Sequence, residues 1–151
     1  FDSKFHRAFY KAQLGAGTLL PISGKVFLSI KDEDKGPILL EAASCLLELG
    51  FTLIGTRGTT SFLAKAGIDI AIVNKVYEGR PNIVDQIKNG DIALIFNTTS
   101  GTQAVNDSRS MRASALMDGV PYYTTLAASH AAAFAIKAHA EGDVGVKALQ
   151  A

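Results

Sequence analysis

A single cysteine, Cys45, rules out any intrachain disulfide. It lies in ILLEAASCLLEL, where a buried helix thiol is the expected state, and a cytoplasmic origin fits. No Cys/His cluster offers a metal site, since His6, His130 and His139 are scattered along the chain. An excess of one charge is missing too. Fifteen basic residues face fourteen acidic ones, a net +1, which gives no reason to expect a nucleic acid or membrane partner. Any anion must be held by a local site rather than by the overall field. No apolar run approaches the roughly 18–20 residues of a membrane span, and FDSKFHRAFYKAQ at the start is no signal peptide. Internal repeats and low-complexity tracts are absent as well. There is no initiator methionine, and the chain opens within a helical pattern, so a piece of something longer is expected.

What is present suits one globular domain with one proper core: 151 residues, 48% hydrophobic and 19% charged. Residues 1–14 carry Phe5, Phe9 and Ala12 at helical spacing, and GAGTLLPISG, residues 15–24, reads as a linker. From Lys25 onward short apolar runs alternate with helical ones. Strands are predicted at KVFLSI (25–30), FTLIGT (51–56), IDIAIV (68–73), DIALIFN (91–97) and VPYYTT (120–125). The first helix, ILLEAASCLLEL, has Asp34 as candidate N-cap, Pro37 in its first turn and Gly50 as its stop. Further helices are predicted at 60–67, at 82–90, at 107–119 with Asp107 as cap, and from Leu126 to Gly142. The strands are continuous Val/Ile/Leu runs without in/out alternation. Such strands are buried on both faces, which implies an α/β Rossmann-like three-layer sandwich around a five-stranded parallel sheet.

In an open parallel sheet, ligands bind beyond the carboxyl ends of the strands. After the first strand come Lys31 and Lys35, and after the second GTRGTTS. Asn74 and Lys75 follow the third, in a loop reaching Arg80. Asn97-Thr98-Thr99-Ser100-Gly101 follows the fourth, and Thr124-Thr125 the fifth. Gly55 and Gly58 would let backbone approach a ligand, and Thr56 and Thr59 would add hydroxyl donors. The next helix offers N–H groups and its positive end. Lys35 and Lys75 add point charges. A phosphate is the natural guest, and the hydroxyl and amide side chains after the fourth strand suit a ribose.

Each feature alone is weak. Gly and Thr are common in strand-to-helix turns, no GK[ST] follows, and GxGxxG is absent. Lys35 alone reads as a solvated helix-start residue, Asp107 as a cap, and Arg57 and Arg80 as surface residues. His130 and His139 read as packing or surface residues. It is the convergence of four loops at one rim that supports a site. No carboxylate stands among the rim residues except Glu78, so the rim reads as a sensor rather than an enzyme.

GTRGTT, VNKVYEGRPNIVDQIKNG and FNTTSG, in this order and spacing, resemble the C-terminal allosteric domain of the carbamoyl phosphate synthetase large subunit, a methylglyoxal-synthase-like domain. The likeness covers about Gly24 to His139, and FYKAQLGAG upstream resembles the end of the family's ATP-grasp domain. The resemblance implies residues 1–14 as the end of that domain, a linker over 15–24 and the allosteric domain over 25–151. It implies a regulatory receptor for a nucleotide monophosphate, UMP or IMP, in an enzyme supplying pyrimidine and arginine synthesis. The phosphate would fall to Lys35, Thr56, Gly58, Thr59 and Lys75. The ribose would fall to Asn97, Thr99 and Asp107, with Val76 and Ile83 beside the base. The domain alone would be non-catalytic and hold no cofactor, ATP and magnesium belonging to the other synthetase domains. Those domains and the glutaminase small subunit would be its partners, and a homo-oligomer is compatible with it.

Two departures stand out. Thr102 and Gln103 replace basic residues after NTTSG. At the possible second effector site, for ornithine, Tyr123-Thr124 stands where the family has an Asp-Thr pair, and a neutral tyrosine does not pair with an ammonium. The alternative is methylglyoxal synthase, acting on dihydroxyacetone phosphate. Its chemistry needs aspartates after the third and fourth strands, where this chain offers EGRPN and Thr98-Thr99. A third reading is an oligomerisation module with a vestigial pocket.

Overall fold

Strand formation is strongest where apolar residues run unbroken. Lys25–Ser29 (β1), Thr52–Gly55 (β2) and Leu94–Asn97 (β4) form the sheet centre, and Ala71–Ile72 (β3) and Tyr122–Tyr123 (β5) its edges. All pairings are parallel, in the order β3-β2-β1-β4-β5. The computed structural model describes residues 20–150, apart from the side chains of 102–104, 107 and 143–150. The helix expected at 1–14 and most of the linker lie outside the described residues.

The helices are Pro37–Glu48 (α1), Arg57–Lys65 (α2), Ile83–Lys88 (α3), Thr102–Met117 (α4) and Leu126–Gln150 (α5). Alternate residues of the central strands feed two cores. Val26, Leu28, Leu94 and Phe96 pack with Leu39 and Leu46 of α1 and Ala132 and Ile136 of α5. Phe27, Ile54 and Ile95 face the other way, against Ile83 and Ile87 of α3 and Met111 and Ala115 of α4. Both faces of the sheet are thus covered, and the Rossmann-like sandwich stands. The edges depart from the expected burial: β3 is exposed and β5 only half-buried. An edge strand has one ladder partner and one open flank, which is why both shrink to two residues.

Three local expectations are corrected. Asp34 does not cap α1; it ends a 3-10 turn, Asp32–Asp34, and pairs with Lys31 at 4.0 Å, while Gly36 stands at the N-cap. Pro37 occupies the first helical position, where its missing N–H costs nothing. α2 begins at Arg57, three residues before the expected start, because Thr59 and Leu63 are buried against the sheet and outweigh the poor helix propensity of Gly and Thr. Gly55 serves packing rather than ligand approach. A Cβ there would lie 2.9 Å from the Leu28 carbonyl oxygen and 3.0 Å from Ile70 Cδ1. Gly55→Ala should therefore cost about 1–3 kcal/mol in chemical denaturation, as overpacking does. An unchanged midpoint would show that β1 yields freely.

Two buried polar atoms give further tests. Thr60 Oγ1 is buried with no hydrogen-bond partner among the described residues. Thr60→Val keeps the shape and removes the orphan, so it should be neutral or stabilising by up to about 1 kcal/mol. A loss of that size would reveal a partner for the hydroxyl. Cys45 Sγ contacts the Ala133 carbonyl oxygen at 3.5 Å, and burial pushes the thiol up to about 11. At pH 8 only about one thiol in a thousand is then thiolate. Iodoacetamide should leave the folded chain unmodified by mass spectrometry while labelling it in denaturant. Fast labelling of the folded chain would contradict this burial.

Candidate functional site

The strand order reverses between β1 and β4, and a cavity of about 290 Å³ opens beyond their carboxyl ends. That volume lies near the lower end of small-molecule sites, roughly 300–1,000 Å³. Backbone-to-hydroxyl bonds lock the rim. The Lys31 N–H donates to Thr98 Oγ1 at 2.9 Å, the Thr98 N–H to the Ser29 carbonyl at 2.9 Å, and the Ile30 N–H to Thr59 Oγ1 at 3.0 Å. The segments after β1, β2 and β4 are therefore tied together before any ligand arrives.

Lys35, Lys75, Thr56 and Gly58 are among the residues that line the cavity. The Lys35 ammonium lies 3.1 Å from where a Gly58 Cβ would project, so Gly58 is the space this lysine uses. Thr56 is the N-cap of α2, so the free first-turn N–H groups of that helix start at a residue of the cavity wall. Val76, Ile83, Phe27 and Met111 give the wall its apolar part, and Asn97, Thr99 and Ser108 add amide and hydroxyl groups. Asn97 is almost fully buried, and its amide donates to Ser108 Oγ at 2.8 Å and Tyr122 Oη at 2.6 Å. Both of its donor hydrogens are thus used by the fold.

The profile of the MGS-like domain matches residues 38–124. This chain belongs to the MGS-like domain family. It is 48% identical over 149 residues to the carbamoyl phosphate synthase large chain of Rhizobium meliloti, a match covering 99% of this chain and 13% of that protein. To the large chain of Mesorhizobium japonicum it is 50% identical with the same coverage. To that of Halomonas eurihalina it is 53% identical over 136 residues, 88% of this chain and 12% of the relative. The chain thus spans only about an eighth of the length of these relatives.

The MGS-like domain brings eight of the expected site residues to one cavity: Lys35, Thr56, Gly58, Lys75, Val76, Ile83, Asn97 and Thr99. Thr59 is not among the cavity walls. It is fully buried, and its hydroxyl accepts from Ile30 and from Thr56 Oγ1 at 3.2 Å, so its place is to brace the loop. Asp107 does not cap a helix: α4 starts at Thr102, with Gly101 at the N-cap in a left-handed conformation, φ 88°. That turn, open to glycine, sends the chain into the helix five residues early. The Asp107 side chain lies outside the described residues, as do those of Thr102 and Gln103. Tyr123 and Thr124 do not line the cavity. Tyr123 meets Phe96 edge-on at 6.1 Å, and burial pushes its hydroxyl up to about 12, while Thr124 is exposed.

Sequence reasoning missed the acids of this cavity. Asp32 and Glu33 both line it, and Asp32 is hydrogen-bonded to Lys35. The signal was the run KDEDK directly after β1, from which only Lys31 and Lys35 were counted in the rim while Asp34 was assigned to a helix cap. The expected rim acid, Glu78, has a different place. Its Oε1 accepts the Lys75 N–H at 2.7 Å, and its Oε2 faces Arg57 Nε at 3.7 Å, joining the loop after β3 to the start of α2. Arg80 turns away to Asp85 at 2.6 Å and holds that carboxyl below its usual range, within the Asn82–Asp85 capping of α3. His130 pairs with Glu41 at 3.1 Å between α5 and α1, away from the cavity.

Proposed function

We propose that this MGS-like domain is the effector receptor of a carbamoyl phosphate synthase large chain and takes a nucleotide monophosphate, UMP or IMP. The observation that carries the reading is the make-up of one cavity, whose wall joins three lysines and the start of α2 to amide and hydroxyl groups. Its likeness over nearly the whole chain to several such large chains supports the same reading.

The phosphate would bind between Lys35 and Lys75, receiving N–H donors from the first turn of α2 at Gly58. Since the donors of Asn97 are already engaged, a ribose hydroxyl would donate to its amide oxygen, with Thr99 alongside. Val76 and Ile83 would flank the base. Thr59 contributes by bracing the loop. The ligand would act through the difference in its affinity for two arrangements of the rim loops relative to the remaining synthetase domains and the glutaminase subunit. Ornithine would find no carboxylate at Tyr123, so it is not expected to act through the Tyr123-Thr124 position. The enzyme would be cytoplasmic and would feed pyrimidine and arginine synthesis, with ATP and magnesium confined to its other domains.

Calorimetric titration with UMP and IMP tests this, with dihydroxyacetone phosphate as the control. Saturable binding of either nucleotide without turnover of the triose phosphate is expected. Silence from both nucleotides would refute the receptor reading, and methylglyoxal in the control would replace it with the synthase.

A further inference from the structure

An anion site with two carboxylates in its wall requires an explanation. Lys31, Lys35 and Lys75 share the cavity with Asp32 and Glu33, so its walls carry three positive charges and two negative ones. Lys31 is further offset by Asp34, 4.0 Å away. The excess positive charge offered to a phosphate is therefore small, and its placement decides the affinity.

Lys35 is more confined than Lys31, whose side chain is 33% exposed. The Lys35 side chain is 15% exposed, and its ammonium lies against Gly58. Its ammonium is already taken by the carboxylate of Asp32, whose own side chain is 89% exposed. The 3-10 turn enforces the pairing: the Lys35 N–H donates to the Asp32 carbonyl at 3.1 Å, which sets the two side chains on one side of the turn. One partner is thus held in the cavity wall, and the other is free to swing into water at little cost.

We infer that Asp32 is a specificity-determining residue, an internal anion that occupies Lys35 in the empty cavity and must yield, or share the lysine, when a phosphate enters. The inference rests on the phosphate reading given above. Lys35 beside it holds the Asp32 carboxyl below its usual range, so the competitor stays ionised at physiological pH. Binding is then an exchange of one anion for another on a fixed cation. A carboxylate or a weakly charged ligand gains little by that exchange, whereas a phosphate dianion gains through its second charge. The same arrangement keeps the bound effector dissociable.

The test uses UMP, inorganic phosphate and uridine as calorimetric probes of the whole chain. Asp32→Asn keeps size and shape and removes the charge, and at so exposed a position it leaves folding intact. It should bind UMP and phosphate roughly 3- to 10-fold more tightly, a gain that fades with added salt, and leave uridine unchanged. The gain should vanish in a Lys35→Ala background, where no ammonium remains to be freed. Equal or weaker phosphate binding by Asp32→Asn, with the parent binding, would overturn the inference and leave the receptor reading standing. If neither parent nor variant binds UMP or phosphate, the receptor reading falls and this inference with it.

Discussion

Phe96→Ala is expected to cost about 3–5 kcal/mol of folding stability, the range for truncating a buried aromatic side chain. Phe96 has no exposed surface, lies in register with Leu28 on one side and Tyr123 on the other, and meets the Tyr123 ring edge-on. Two contributions add. The lost transfer energy is that of a large apolar ring, and the cavity sits at the sheet centre, where strands pinned by ladders on both flanks do not collapse inward. The midpoint of thermal unfolding should fall by roughly 6–20 °C for a chain of this size. Ile95→Val, on the opposite face of the same strand, provides the scale: one methylene removed should cost about 0.5–1.5 kcal/mol. A Phe96→Ala protein that melted within a few degrees of the parent would mean that the α1/α5 layer closes over the gap, and that the first core is far softer than its burial indicates.

Lys75→Ala should weaken phosphate-ester binding by about 1.5–3 kcal/mol, or roughly 10- to 150-fold, the scale of one charge-assisted hydrogen bond. Lys75 lines the cavity, and its backbone is fastened by Glu78, so the substitution removes the ammonium without releasing the loop. Stability should therefore barely change, and that contrast separates a ligand contact from a structural one. The Lys75 ammonium lies 5.9 Å from the centre of the Tyr77 ring, but Tyr77 is largely exposed and the contact contributes little. Calorimetry with UMP, alongside a denaturation curve, measures both quantities. Unchanged affinity would remove Lys75 from the site, and a large stability loss with weaker binding would make it a structural residue instead.

How much was legible in the sequence differs by level. Unbroken apolar runs at 25–30, 51–56 and 91–97 specified buried parallel strands, because side chains on both faces of a strand are apolar only where both faces are covered. That settled the class of fold and pointed to one rim as the place for a ligand. The motifs GTRGTT, VNKVYEGRPNI and FNTTSG placed Gly58, Lys75, Asn97 and Thr99 near one another, as the cavity does. Boundaries were less legible. Gly101 and Thr56 start helices several residues before the periodic apolar pattern begins, since a helix N-terminus is set by local backbone turns and the first turn needs no apolar face.

Tertiary structure alone decided the rest, because it depends on what lies across the sheet. Gly55 looked like a ligand approach and is a packing contact with Leu28 and Ile70, residues on neighbouring strands and loops that no local pattern couples. Thr59 looked like a phosphate donor, yet its hydroxyl belongs to Ile30, 29 residues away. Asp32 was not counted among the rim residues and stands in the cavity wall on Lys35. Residue types and their spacing determine which elements form and which rim carries polar groups. Which of those groups face a ligand, and which are used up by the fold, follows from long-range hydrogen bonds and contacts that exist only once the strands are side by side.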